Sequence, residues 1–236
     1  TIIFKYSLIS MLIRLEIFIK RKLRQAFSSY YIKRDIAKLR NINFVLISRN
    51  CWGGQAYQWL GLPYNTPFVG LFLFGPCYMK LLRDFDSYMQ MELEFIEISK
   101  YVDAYNNHPI ALLGDVEIHF QHYGSIEEAR EKWNRRKQRM LEISKENYFF
   151  TICDRREVSS LDIKEFHKMN FKNKLSFSFD KIEGLTNRQH IKFIRDPSKK
   201  NGSPPNGKKR FKLSFLYFDL IHWLNEEIVI RTRFKD

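Results

Sequence analysis

The segment Gly114-Asp115-Val116-Glu117-Ile118-His119-Phe120-Gln121-His122-Tyr123 alternates apolar side chains with ionisable ones. If it is one extended strand, Asp115, Glu117 and His119 project from one face and Val116, Ile118 and Phe120 from the other, because side chains two apart share a face. Two carboxylates and an imidazole so placed can bind a cation or move protons. A second set of reactive residues surrounds Cys51. There, Asn43-Phe44-Val45-Leu46-Ile47-Ser48 reads as a buried strand, Asn50-Cys51-Trp52-Gly53-Gly54 as a turn, and Gln55 to Leu60 as a short helix ended by Gly61 and Pro63. A thiol at the carboxyl end of a strand, just before a helix, lies where open α/β sheets place ligands and where helix amides favour a thiolate or an anion. Asn50 joins this turn as a binding candidate. Gly53 and Gly54 would let backbone amides approach a ligand, and Trp52 and Tyr57 would supply stacking surfaces for a sugar or base.

Three readings of these residues stay open. In the first, Cys51 is a nucleophile, His119 or His122 is its base, and Asp115 or Glu117 orients the imidazole, an arrangement suited to acyl or related group transfer. In the second, Asp115, Glu117 and His119, with His122, hold a divalent cation such as manganese, zinc or iron. The third is structural, with Asp115 and Glu117 paired to Arg135 or Arg136. Those two arginines fall on a helix opened by the capping pattern Ser125-Ile126-Glu127-Glu128, and they could equally meet a phosphate or carboxylate of a ligand. His108, His167, His190 and His222 have no partner pattern and take structural or surface roles.

The elements that must position these residues alternate in type. Ile110 to Phe120 reads as the motif strand, Tyr148 to Cys153 and Leu175 to Phe179 as further strands, and helices are expected over Pro76 to Met91, from Ser125, over Ser159 to Met169 and over Phe215 to Glu227. This pattern implies a single α/β domain: a three-layer α/β/α arrangement with a mostly parallel or mixed sheet. Residues 1–40 form a basic, amphipathic helical segment ahead of the α/β domain at 41–236, and the Lys-, Gly-, Ser- and Pro-rich stretch 197–210 reads as a mobile surface loop.

At 236 residues, 44% hydrophobic and 16% aromatic, the chain can bury a substantial core, which excludes a disordered protein. Its net charge of +14 favours polyanionic partners: an acidic glycan, a nucleotide-linked sugar or an anionic membrane surface. Nucleic acid is not expected, since no helix-turn-helix, zinc-finger or RNP signature accompanies the charge. Cys51, Cys77 and Cys153 are odd in number and widely spaced, so no disulfide framework is expected and a reducing cytoplasm fits better. The apolar opening, interrupted by Lys5, Arg14 and Glu16 and followed by Lys20-Arg21-Lys22, suits a helix lying on the inner membrane face or packed on the domain better than a signal peptide or a span.

The block Ile47 to Gly54, followed by Tyr57-Gln58-Trp59-Leu60-Gly61-Leu62-Pro63-Tyr64-Asn65-Thr66-Pro67-Phe68-Val69-Gly70-Leu71, resembles the DUF1919 family. So do Gly114 to Tyr123 and Ala129-Arg130-Glu131-Lys132-Trp133-Asn134-Arg135-Arg136. The resemblance covers roughly Phe44 to Phe179. It implies a role in bacterial exopolysaccharide or capsule biosynthesis, since members are commonly so described, but it carries no catalytic assignment onto any residue here. The expectation is an enzyme that transfers or removes a small group on a glycan or its activated precursor. The alternative is a non-catalytic glycan- or membrane-binding component of a synthesis complex.

Overall fold

The computed structural model describes residues 2–101, 107–194 and 204–232. Two helices, α1 (Ile2–Ala26) and α2 (Ser28–Lys38), lead into β1 (Val45–Ser48) and α3 (Cys51–Leu60). Then come α4 (Gly75–Arg83), α5 (Phe85–Gln90), the strands β2 (Leu93–Ile96), β3 (Ile110–Leu113) and β4 (Val116–His119), and α6 (Ile126–Leu141). The chain closes with β5 (Tyr148–Cys153), α7 (Ser160–Lys168), β6 (Asn173–Ser178), β7 (His190–Lys192), α8 (Gly207–Ser214) and α9 (Leu220–Glu226).

The central sheet is parallel, in the order β1-β5-β6-β7, with Val45 beside Tyr148, Phe149 beside Asn173 and Ser176 beside His190. β1 and β5 are apolar on both faces, as strands covered by helices on both sides require, whereas β6 turns Leu175 and Phe177 to one core and Ser176 and Ser178 to the other side, where they meet His190. Val45, Ile47, Phe150 and Ile152 enter one core with residues of α4 to α7, while Phe44, Leu46, Phe149 and Phe177 enter a second core with α3, α8 and α9. Full burial of each such side chain contributes about 1.5–3 kcal/mol. The result is the expected three-layer α/β fold.

The motif segment departs from the single strand expected. It is a hairpin, β3 and β4, in a separate antiparallel sheet ordered β2-β3-β4. Leu113 pairs with Val116, so Gly114 and Asp115 form a two-residue turn, with Gly114 at φ +60° in its first position. The helix after Cys51 also starts earlier than expected. Asn50 caps it by accepting from the Trp52 amide at 3.0 Å, and Gly61 ends it in the left-handed conformation.

The expected loop at 197–210 is only partly described: 197–203 lie outside the described residues, whereas Gly207 onward is α8, capped by the Asn206 side chain on the Lys209 amide. At the amino end, Asp35 of α2 is buried at 4% exposure and ties two helices to the domain. It accepts from Arg24 of α1 and from the Trp59 indole of α3, both at 2.9 Å. Among the described residues, no helix is long and apolar enough to cross a membrane.

Candidate functional site

β1 ends at Ser48, and Cys51 stands in the first turn of α3, at the carboxyl end of the parallel sheet. The segment 69–74 then crosses this edge and joins two distant parts of the chain. The Leu73 amide donates to the Arg49 carbonyl, Phe72 and His119 exchange backbone hydrogen bonds, and the His122 amide donates to the Gly70 carbonyl at 2.9 Å. Gly70 holds φ +74°, and a side chain there would meet the Tyr123 ring at 3.0 Å and His122 Cβ at 3.5 Å. This crossing carries His122 to the turn, where its Nε2 lies 3.4 Å from Cys51 Sγ. That is within the range of a thiol–imidazole hydrogen bond in an unliganded site.

The pair sits in a cleft of about 580 Å³ whose charged lining is cationic. Arg155 and Arg156 follow β5, Lys208 comes from α8, and Lys132 and Arg136 from α6. Among the described residues no Asp or Glu lines it. Lys132 is ion-paired to Glu128, which lies outside this lining. Buried Arg49 closes the floor, with its guanidinium donating to the carbonyls of Leu73, Cys153, Arg155 and Arg156 rather than to a carboxylate. Gly207 packs so tightly on the start of α3 that an added Cβ would lie 2.5 Å from the Trp52 nitrogen. The amino ends of α3 and α8 therefore converge beside the cleft, and their dipoles add to its positive potential. Burial pushes the Cys51 thiol up from its usual pKa, while Lys208 and Arg155 pull it back. The resting group is a thiol that needs a base.

Other residues singled out from sequence stand elsewhere. His119 is fully buried and is absent from the lining of the Cys51 cleft. The ring stacks on Phe72 at 4.5 Å, its Nδ1 lies 3.2 Å from His108 Nε2, and its Nε2 lies 2.8 Å from Glu117 Oε1. That last approach is off the line of an N–H bond, so it is a close electrostatic contact rather than an aligned hydrogen bond. Glu117 is held by the Ser99 hydroxyl and by the Lys100 amide at 3.0 Å. Burial holds His119 well below the ordinary histidine pKa, against the pull of Glu117. Glu117 and His119 do share a face, but Asp115 does not, because it occupies the hairpin turn. Its carboxylate is exposed, paired with Lys80 and accepting from the Tyr88 hydroxyl at 2.7 Å, and these two partners hold it below the usual carboxylate range. The triple ligand set is therefore not assembled. Among the described residues, no group of three or more His, Cys, Asp or Glu is placed to hold a metal ion.

The expected ligand-binding residues divide similarly. Trp52 is not a stacking wall: it is 2% exposed, bonds Ser214 at 3.0 Å through its indole nitrogen, and packs on Phe177. Tyr57 is buried, donating to the Phe44 carbonyl and accepting from the Leu46 amide. Gly53 serves close helix–strand packing, since a Cβ there would lie 3.1 Å from Ser48 Cβ, and its amide donates to the Ser48 hydroxyl. The Trp52 amide is engaged as well, by the Asn50 side chain. Gly54 and Asn50 do line the cleft, and the Asn50 amide group reaches Cys153 Sγ at 3.3 Å. Arg135 is exposed and pairs with Glu131 within its own helix. Arg136 lines the cleft and donates to the Tyr123 hydroxyl at 2.7 Å, bracing the wall behind His122. Arg49, Gly70, Arg155, Arg156 and Lys208 escaped the sequence reading. The two arginines just past the end of β5 were the most accessible of these, because strand ends in parallel sheets are where ligands bind.

A family model described as a domain of unknown function, DUF1919, matches residues 19–225, extending on both sides beyond the stretch from Phe44 to Phe179. An uncharacterised protein of Haemophilus influenzae is 33% identical over 201 residues, which cover 83% of this chain and 91% of that protein. With its α/β architecture and its cleft at the end of β1 and β5 in view, the chain belongs to the DUF1919 family.

Proposed function

We propose that this protein is a group-transfer enzyme in which Cys51 is the nucleophile and His122 its general base, acting on an anionic, activated glycan precursor. The single observation that carries the reading is the 3.4 Å approach of Cys51 Sγ to His122 Nε2 at a carboxylate-free, cationic cleft. For an acyl donor, the Cys51 proton passes to Nε2 as the sulfur–carbon bond forms, and the same proton then leaves with the departing group as its bond to the acyl carbon breaks. A sugar hydroxyl next gives its proton to Nε2 as its oxygen displaces sulfur, and His122 returns that proton to the thiolate. Arg155, Arg156 and Lys208 suit a phosphate or carboxylate on the donor or acceptor, such as the diphosphate of a nucleotide-linked sugar. The setting in exopolysaccharide or capsule synthesis is what the family resemblance supports.

The test is to incubate the full chain with activated acyl donors, acyl-coenzyme A and acyl phosphate among them, and to read adducts by intact-mass and peptide mass spectrometry. An acyl adduct confined to Cys51, lost in Cys51→Ala and persisting longer in His122→Ala, is the expected result. Unchanged polysaccharide modification in cells carrying a folded Cys51→Ala variant would overturn the thiol mechanism. A non-catalytic component of a synthesis complex is then the surviving reading, favoured by the exposed apolar residues of α1.

A further inference from the structure

We propose that the chain docks on an anionic lipid bilayer through one face of α1, which lies in the interface rather than crossing it. Met11, Leu12, Leu15, Phe18, Ile19 and Leu23 are each close to half exposed. At 3.6 residues per turn they fall within an arc of about 140°. Ile17, on the opposite side, packs onto the second core, so the helix is fixed to the domain with its apolar arc outward. Arg24 strengthens that attachment, its guanidinium lying 4.5 to 4.9 Å from the ring centres of Tyr31, Trp59 and Phe215.

Charge selects the occupant. Residues 1–40 carry ten of the forty basic side chains and two of the twenty-six acidic ones. Lys22 sits inside the apolar arc itself, with its ammonium 5.8 Å from the Phe18 ring. A second copy of the helix packed face to face would bury that charge in an apolar seam without a carboxylate partner on the arc. In a membrane interface, by contrast, the lysine stem lies along the acyl boundary while the ammonium meets anionic headgroups. Arg21 flanks the arc, and Lys209 and Lys212 line the same trough of about 950 Å³ between α1–α2 and α8. Gln55 and Gln58 of α3 line both this trough and the Cys51 cleft, so the two adjoin. The docking does not rest on the thiol chemistry and is measurable in Cys51→Ala.

The experiment is vesicle co-sedimentation of the full chain, with phosphatidylcholine vesicles compared with vesicles that also contain phosphatidylglycerol. The variants are Leu15→Glu/Ile19→Glu and Arg21→Glu/Lys22→Glu, each checked for unchanged circular dichroism and melting. We expect binding to the anionic vesicles that falls about tenfold or more in either double variant and weakens in high salt. Absence of binding to either vesicle, or binding indifferent to Leu15→Glu/Ile19→Glu, overturns the proposal. So does a dimer in light scattering that Leu15→Glu/Ile19→Glu dissolves while vesicle binding is absent, because a second copy is then the occupant.

Discussion

At the scale of single residues, the cleft stands on Cys51 and on what surrounds its sulfur. Burial raises the thiol pKa while Lys208 and Arg155 oppose the rise, so iodoacetamide alkylation of Cys51 should titrate above the ordinary thiol range. Lys208→Glu should move that midpoint higher still and slow alkylation severalfold at a fixed pH below it; an unchanged profile would remove Lys208 from the sulfur's surroundings. Asp115 makes the contrasting case. Its pair with Lys80 is exposed, so Asp115→Asn should alter stability by no more than about 0.5 kcal/mol in urea unfolding. A large loss would show that its contacts with Lys80 and the Tyr88 hydroxyl hold the hairpin.

At the scale of elements, the crossing segment 69–74 and buried Arg49 decide whether the site exists. Gly70 is held at φ +74° against Tyr123, so Gly70→Ala should cost about 1–2 kcal/mol and disturb the His122 backbone at the same time. Arg49 satisfies four carbonyls, that of Leu73 and those of Cys153, Arg155 and Arg156 at the end of β5, and Arg49→Met leaves them without these donors. A loss of about 3 kcal/mol or more is expected, read as a lowered urea midpoint, and a change below about 1 kcal/mol would show that water replaces the guanidinium. Element type was largely legible in the sequence: the apolar run at Val45 to Ser48, the Ser159 and Asp162 capping box and the stripe Ala129, Trp133 and Met140 all follow local rules. The hairpin is legible too, although the alternation of side chains points to one strand. Gly114-Asp115 between two apolar runs is a two-residue turn signal, and alternation alone had hidden it.

At the scale of the whole molecule, two histidines couple stability to pH. Burial lowers both His119 and His167 to about 4. In the unfolded chain each binds its proton near the ordinary value of about 6.5, so between there and about 4 the unfolded state holds more protons than the folded one. Stability should be fully present above the unfolded value and decline as pH falls through this window, with a slope of up to about 1.4 kcal/mol per pH unit from each group. His119→Phe should flatten part of that decline. Equal slopes in the variant and the parent chain would show that His119 is solvated in solution.

The sequence by itself determined the two apolar faces of β1 and β5, the helix caps, the cationic balance and the placement of Cys51 between β1 and α3. Each of these rests on side-chain type and spacing within a few residues, where backbone geometry fixes neighbours. It also brought Glu117 and His119 to one face, because strand alternation is local. Which histidine meets Cys51 was decided only by the tertiary structure. His119 and His122 are three residues apart and chemically alike, and they are separated by the bridge between Phe72 and His119, which turns one ring into the core and leads the other to the cleft. The convergence of Arg155, Arg156 and Lys208 was decided in the same way, since charges from β5 and α8 meet only once the parallel sheet has aligned its strand ends and Gly207 has let α8 close on α3.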